Sequence, residues 1–374
     1  MIYLDHAAST PVVESALNIY INSLREDFAN PSAAHKLGKA SMKKVERARL
    51  VTLKALKASK KDNLIFLSSA TEANNLAIKG LDLSDTDRVH YSLGDHPSTT
   101  EPVKSLNSQL VEIPLLDGGI IDEDSFLGSL DKDSKLVVLS HVNNQSGNRY
   151  DILSLAKKAK DLFPGIHFHI DGVQALTKVD INLSDYIDSY TISGHKIGAP
   201  KGIGALFIKS GVELQIQLHG GGHEFGLRSS TVNTPLILSF CEAITVGLQD
   251  LDTNFSKVKK INSLIREELK NSNLGITFPF SLEDTSPYIL SFLLPEISSD
   301  IVLRHLEMKN IFVASSSACS SKAKGFNAGF NAMKIDQSKH KFVLRISFSK
   351  ETSADDVATF VKEISNIIKD IKRL

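Results

Sequence analysis

Two polar residues, each closing a strand-like run, set the chemistry open to this sequence. Asp171 ends the alternating run His167-Phe168-His169-Ile170. Lys196 follows the next such run, Ser189-Tyr190-Thr191-Ile192, inside the small, hydroxyl-bearing turn Ser193-Gly194-His195-Lys196-Ile197-Gly198. A lone lysine is ordinarily a solvated surface group. A carboxylate at the end of one strand and a lysine after the next are, together, what a pyridoxal-phosphate enzyme requires. The acid keeps the pyridine nitrogen protonated so that the ring drains electrons, and the amine forms a Schiff base.

Other residues fit around that pair. Ser69-Ala70-Thr71-Glu72 follows a strand and opens a helix, where free backbone N–H groups, a threonine hydroxyl and the helix dipole favour a phosphate. Thr71 also reads as an ordinary helix cap. Ser193 and His195 offer donors beside Lys196, and Gln174 is within reach of a cofactor's phenolic oxygen or is simply a polar turn residue. His96, in Gly94-Asp95-His96-Pro97, can stack on a flat ring and move protons near neutral pH, or sit in a watery loop. Asn144 can bond a ring or a substrate, although asparagines near a glycine commonly turn the chain.

The segment His219–Thr231 is glycine-rich and carries Arg228 and three hydroxyls. Its two histidines invite a metal, but flexible glycines make a poor coordination sphere, so no metal is expected. Cys319 lies in a run of small polar residues, Ser315–Lys322, that cannot pack a core and reads as an exposed loop fit to move. Lys322 and Lys324 favour its thiolate; an incidental surface thiol would look the same. Cys241, in an apolar helical run, reads as a buried small hydrophobe.

These groups need elements to hold them. Strands are expected at Asn63–Ser68, Arg88–Ser92, Val111–Leu115, Lys135–Ser140, His167–Ile170, Ser189–Ile192 and Gly204–Ile208. Helices such as Glu72–Lys79 and Leu153–Leu162 lie between them. That alternation predicts an α/β layer with a mostly parallel seven-stranded sheet and ligands at the strands' carboxyl ends. Past Gln249–Asn254 the pattern becomes a long helix (Phe255–Leu269), strands at Tyr288–Leu294, Ile311–Ala314 and Phe342–Phe348, and a last helix, Ala354–Ile371. We therefore expect a large domain over 14–252 and a smaller α+β domain over 253–374 with residues 1–13. At 374 residues two domains are natural. Lysine plus arginine equals aspartate plus glutamate at 43 each, so no global field draws nucleic acid or a membrane surface. Two cysteines exclude a disulfide framework, and neither a leader segment nor a membrane span is expected. The cytoplasm is the expected compartment.

Taken together, the blocks resemble the cysteine desulfurases, pyridoxal-phosphate enzymes of the class V aminotransferase group with the fold-type I architecture. The likeness runs from Tyr3-Leu4-Asp5-His6-Ala7-Ala8 to Arg345-Ile346-Ser347-Phe348. In between lie Asn30-Pro31-Ser32, Ser69–Asn75, His141–Gly147, Asp171–Gln174, Ser193–Lys196, Gly220–Thr231 and Ser315–Cys319. The resemblance implies Lys196 as the Schiff-base lysine, Asp171 on the pyridine nitrogen, Gln174 on the phenolic oxygen and His96 as ring-stacking acid/base. It implies Ala70, Thr71, Ser193 and His195 around the phosphate, Asn144 at the cofactor, and Thr231 reaching across from the neighbouring subunit of a homodimer. Arg345 and Asn30 would hold the substrate carboxylate, and Cys319 would carry the sulfur. The implied substrate is L-cysteine and the implied partner a sulfur acceptor, such as an iron–sulfur scaffold or a tRNA-thiolation relay protein. Selenocysteine lyase, another class V reaction and a non-catalytic dimeric scaffold are the alternatives. The chain departs from the pattern at Gln145, Gly172-Val173, Gly198-Ala199, Phe225, Ser230 and Ser316. None of these makes or breaks a bond.

Overall fold

The structure, a computed structural model, describes residues 1–183, 185–315 and 327–373. Cys319 and Ser316 lie outside them. The strands of the large sheet run, in spatial order, Asn63–Leu67, Gly204–Ile208, Ser189–Ser193, His167–Asp171, Ser134–Ser140, Arg88–Tyr91 and Gln109–Glu112. All neighbours pair in parallel except those of Gly204–Ile208, which runs against both its partners. Helices cover both faces. The central strands are therefore buried almost end to end, with only Lys135 exposed in Ser134–Ser140.

Register decides what meets at the carboxyl edge. Ser140 pairs with Asp171, and Asp171 with Thr191. Ser193 pairs with Gly204, which pairs with Leu67 on its other side. The turns carrying Asp171, Lys196 and Ser69–Thr71 thus emerge side by side. Gly204 makes that approach possible: a Cβ there would lie 2.8 Å from the Ser69 carbonyl carbon and 3.0 Å from the Ala70 nitrogen. The unusual Gly172 also has a local reason, because a Cβ at that position would fall 1.9 Å from the Tyr190 ring.

A second core lies under the helices Leu251–Asn271 and Ala354–Lys372 and the antiparallel sheet Ala314–Ser315, Val343–Ser347, Ile289–Leu293. The amino-terminal strand Ile2–Tyr3 pairs in parallel with Ile311–Phe312, and Asp5 bridges to Ser347. Leu4 is part of that same second core. No helix among the described residues is long and apolar enough to cross a membrane.

Several sequence expectations need correction. The strand expected at Val111–Leu115 is Gln109–Glu112, because Pro114 has no N–H to give a ladder. The run Ile311–Ala314 divides at Val313 between two sheets. The helix expected from Phe255 starts at Leu251, inside the expected joint, and the turn before it is made by Asp250 with φ 55°. Ser69, not Thr71, caps the helix Ala70–Lys79, its Oγ accepting the Glu72 N–H at 3.1 Å. Cys241 is half-buried rather than buried, and its thiol is pushed up to about 11, first by burial and then by Glu242.

Phe225 also finds a role. The Arg49 guanidinium lies 5.0 Å from the Phe66 ring centroid and 4.8 Å from that of Phe225. Its Nη1 and Nη2 reach the Glu224 carboxylate at 2.9 and 3.1 Å, and Glu224 also accepts the Phe66 N–H at 2.7 Å. Both charged groups are buried, so removing either one costs about 3–5 kcal/mol. This pair pins the glycine-rich segment that leads to Thr231.

Candidate active site

Asp171 is held as an acceptor. Its Oδ2 takes the Asn74 Nδ2–H at 2.9 Å and its Oδ1 the Val173 amide at 3.0 Å. Lys196 ends the short turn Gly194–Lys196, and its Nζ donates to the carbonyls of Ala7 at 2.6 Å and Ala8 at 2.7 Å. Gln174 Nε2 donates to the same Ala7 carbonyl at 2.8 Å, so one main-chain oxygen collects both side chains. His96 caps the helix Pro97–Lys104. Burial holds its pKa below the usual value; Asp171 opposes that shift and Lys196 adds to it, which places all three groups in one electrostatic neighbourhood.

Ser193 is buried and His195 half-buried, with His195 Nδ1 3.3 Å from Ser9 Oγ. Burial, then Lys196, Lys201 and Lys178, push His195 down to about 4. Ala70 and Thr71 sit in the first turn of their helix, where no intrahelical carbonyl can reach the amides. Arg345 is buried. Its Nη1 donates to the Asn144 carbonyl at 2.8 Å and its Nη2 to Asp5 Oδ1 at 2.8 Å, while Nε is buried with no partner among the described residues.

Two expected members make no hydrogen bond to the rest of the site among the described residues. Asn30 is exposed, its Oδ1 accepting the Ser32 amide at 2.9 Å, and among the described residues no hydrogen bond joins it to Arg345. Thr231 is exposed and lines a separate cleft with Ser68 and Gly202. No group of three or more His, Cys, Asp or Glu among the described residues is placed to hold a metal ion.

Residues 2–360 match the pattern of the family described as aminotransferase class-V. The chain belongs to the class-V aminotransferases. It is 30% identical over 382 residues to a protein named cysteine desulfurase IscS from Dictyoglomus turgidum, covering 100% of this chain and 96% of that one. Among solved structures it resembles a NifS-like protein with a TM-score of 0.92 and 27% identity, over 98% and 99% of the two chains. It also resembles a NifS-like protein from Rickettsia africae, with a TM-score of 0.88, 27% identity and 99% coverage of both. The architecture is that of the fold-type I pyridoxal-phosphate enzymes.

The residues of this class-V aminotransferase suit such a cofactor. They comprise a buried acid, an amine, donors at a helix start, a histidine beside them and a buried guanidinium with an unused N–H. Sequence reading missed three neighbours. Lys178 is buried and donates to Gln174 Oε1 at 3.1 Å. Burial, then Lys196 and Arg345, push it down to about 7. Asp5 holds Arg345, and Asn74 holds Asp171. A buried lysine or asparagine carries no sequence signal of its own, and the Ala7 contact is made by the main chain.

The buried histidines of this class-V aminotransferase predict acid lability. Burial pushes His90 and His141, and the half-buried His167, down to about 4 and His169 to about 3. Their unfolded-state values lie near 6.5, so below that pH the unfolded chain binds protons that the folded one refuses. Their contribution is complete above pH 6.5 and drains as pH falls toward 4, by up to about 1.4 kcal/mol per pH unit for each. Asp95, raised to about 7 by burial, acts in the opposite sense over the same range. One carboxyl does not offset four imidazoles. Urea midpoints should drop steeply between pH 6.5 and 5; a flat profile would show that these rings titrate normally.

Proposed function

We propose that this chain is a pyridoxal-phosphate-dependent cysteine desulfurase. It takes sulfur from L-cysteine, leaves L-alanine, and passes the sulfur by way of Cys319 to an acceptor protein for iron–sulfur assembly or tRNA thiolation. The observation that carries the reading is the meeting of Lys196, Asp171, Gln174 and His96 around the Ala7 carbonyl and the Asn74 amide, with the Arg345 guanidinium beside Asn144 and Asp5. The names of its relatives point the same way.

When bound, pyridoxal phosphate supplies an electron sink for charge left at a substrate Cα. The protein's own groups do the rest. Asp171 keeps a ring nitrogen protonated. Ala70, Thr71, Ser193 and His195 bind the phosphate, joined by Thr231 of a second subunit, while Gln174 and Asn144 position the ring. Arg345, with Asn30, orients the substrate carboxylate, a task its planar fork suits. Lys196 Nζ holds and moves the Cα proton, and His96 manages protons on the cofactor or the substrate thiol. The Cys319 thiolate attacks the substrate sulfur. A sulfur–sulfur bond forms as the substrate Cβ–S bond breaks, and the electron pair left on carbon takes a proton to give alanine. A homodimer in the cytoplasm is part of this proposal.

The test is the product balance. L-cysteine with a thiol reductant should yield equal alanine and sulfide, and faster turnover of L-selenocysteine with little from cysteine would favour a selenocysteine lyase instead. The shared site is checked by mixing subunits. Thr231→Ala alone should weaken cofactor retention about ten- to a hundredfold, the worth of a hydrogen bond to a charged group. Mixed with Lys196→Ala subunits it should regain activity, because one site per mixed dimer is then intact. Light scattering that finds an active monomer would contradict the arrangement.

A further inference from the structure

The large domain contains a buried polar chain that the proposed chemistry does not use. Asn74, His169 and Ser189 are fully buried between the helix Ala70–Lys79 and the strands that carry Asp171 and Ser193. We propose that Asn74 is a positioning residue that fixes the orientation of the Asp171 carboxylate and the proton-bearing nitrogen of His169, and that reaches His96 through Ser98. The proposal rests on the reading of Asp171 and His96 given above, but its hydrogen-bond logic is independent of any cofactor.

An ionised carboxylate only accepts, so the atom of Asn74 that lies 2.9 Å from Asp171 Oδ2 must be the amide nitrogen. That fixes the flip of the side chain. The second N–H of the same nitrogen goes to Ser98 Oγ at 3.0 Å, and Oδ1 is left facing His169 Nε2 at 3.1 Å. His169 Nε2 therefore carries a proton. In a neutral ring Nδ1 must then accept, and it does so from Ser189 Oγ at 2.9 Å. Ser189 Oγ in turn accepts from His167 Nε2 at 2.8 Å. On the other side, Ser98 Oγ has accepted from Asn74 and directs its single hydrogen to His96 Nδ1 at 2.9 Å. The Ser98 amide N–H points at the same nitrogen from 3.0 Å. A hydrogen on His96 Nδ1 would collide with that amide hydrogen. His96 Nδ1 is bare, and the proton of the neutral ring sits on Nε2. One orientation of one amide thus sets every hydrogen from His167 to Asp171, while the Ser98 amide and hydroxyl set that of His96.

Asn74 is a poor candidate for a merely structural group. A buried amide needs only to be satisfied, whereas this one lies between the acid expected at the cofactor's ring nitrogen and, through Ser98, the histidine expected to stack on the ring. Its loss leaves Asp171 with one fewer donor and lets Ser98 Oγ rotate away from His96.

The test uses the full chain labelled with nitrogen-15 histidine, observed by NMR at neutral pH without and with pyridoxal phosphate. Wild-type protein should show a pyrrole-like Nε2 and a pyridine-like Nδ1 for His96 in both samples, with the same pattern for His169. In Asn74→Leu, which keeps the bulk, His169 should become a mixture of tautomers while His96 keeps its own, and affinity for pyridoxal phosphate should fall about ten- to a hundredfold. A proton on His169 Nδ1 in the wild-type protein overturns the proposal, whether or not the variant folds. So does an Asn74→Leu protein whose His169 signals and cofactor affinity both match wild type. The expected tautomers in a wild-type chain that binds no pyridoxal phosphate would support this assignment and count against the function proposed above.

Discussion

Lys196→Ala is expected to abolish turnover while leaving the fold intact. The side chain is only half-buried, and its Nζ bonds to the carbonyls of Ala7, which is buried, and Ala8, which is exposed. Stability should therefore fall by about 1.5–3 kcal/mol, the worth of a hydrogen bond to a charged group, because water replaces the bond at Ala8 but not the one at buried Ala7. Activity is another matter. The same amine is proposed both to hold the cofactor and to carry the substrate proton, and a positioned proton-transfer group alone supplies up to about ten-thousandfold. We expect at least that loss in alanine formation, with cofactor still bound through its phosphate and ring contacts. Borohydride treatment of the wild-type protein followed by peptide mapping should place the pyridoxyl label on Lys196. A label on another lysine, Lys178 being the nearest alternative in a buried setting, would move the assignment.

Cys319→Ser carries the second large effect. The chemistry needs a thiol that can meet the substrate sulfur and then leave with it, and the composition of Ser315–Lys322 suits that task where the helical setting of Cys241 does not. A serine hydroxyl is a far weaker nucleophile toward sulfur, because the thiolate is the reactive form. Sulfide release from L-cysteine should fall by roughly a thousandfold or more, while cofactor content and the spectral change on adding cysteine persist. Mass spectrometry after brief exposure to L-cysteine should find one added sulfur on the wild-type peptide that contains Cys319. Cys241→Ser should change little beyond stability, its own thiol being pushed up to about 11 by burial. Sulfide release equal to wild type from Cys319→Ser would end the thiol mechanism for this protein.

Much of this was legible before any coordinates. The buried parallel strands Ser134–Ser140, His167–Asp171 and Ser189–Ser193 announce themselves because both faces are covered and nearly every residue is apolar or small. The edge strand Gln109–Glu112 does not, since its side chains face solvent and its sequence carries no burial pattern. The apolar Ile113 and Leu115 drew the reading past Pro114 instead. At the site, Asp171 and Lys196 could be found because each closes a strand. Lys178 and Asn74 could not, because their roles follow from burial and from partners distant in the chain. The Ala7 carbonyl is invisible in principle, since any residue type there offers the same oxygen.

That carbonyl has one more consequence. The Ala7 amide is tied to Ser347 Oγ, and the Ser347 amide to the Leu4 carbonyl, while Asp5 grips Arg345. The stretch from which Lys196 takes its bonds is thus braced by residues 340 positions further along. At a synthesis rate of about 5–20 residues per second, the first ten residues wait roughly twenty seconds to over a minute for the partners that seat them. A nascent chain still on the ribosome, or one cut short before Arg345, can complete the large sheet and yet hold no finished centre. Competence arrives only with the last strand, so a cell gains no reactive sulfur chemistry from unfinished copies of this polypeptide.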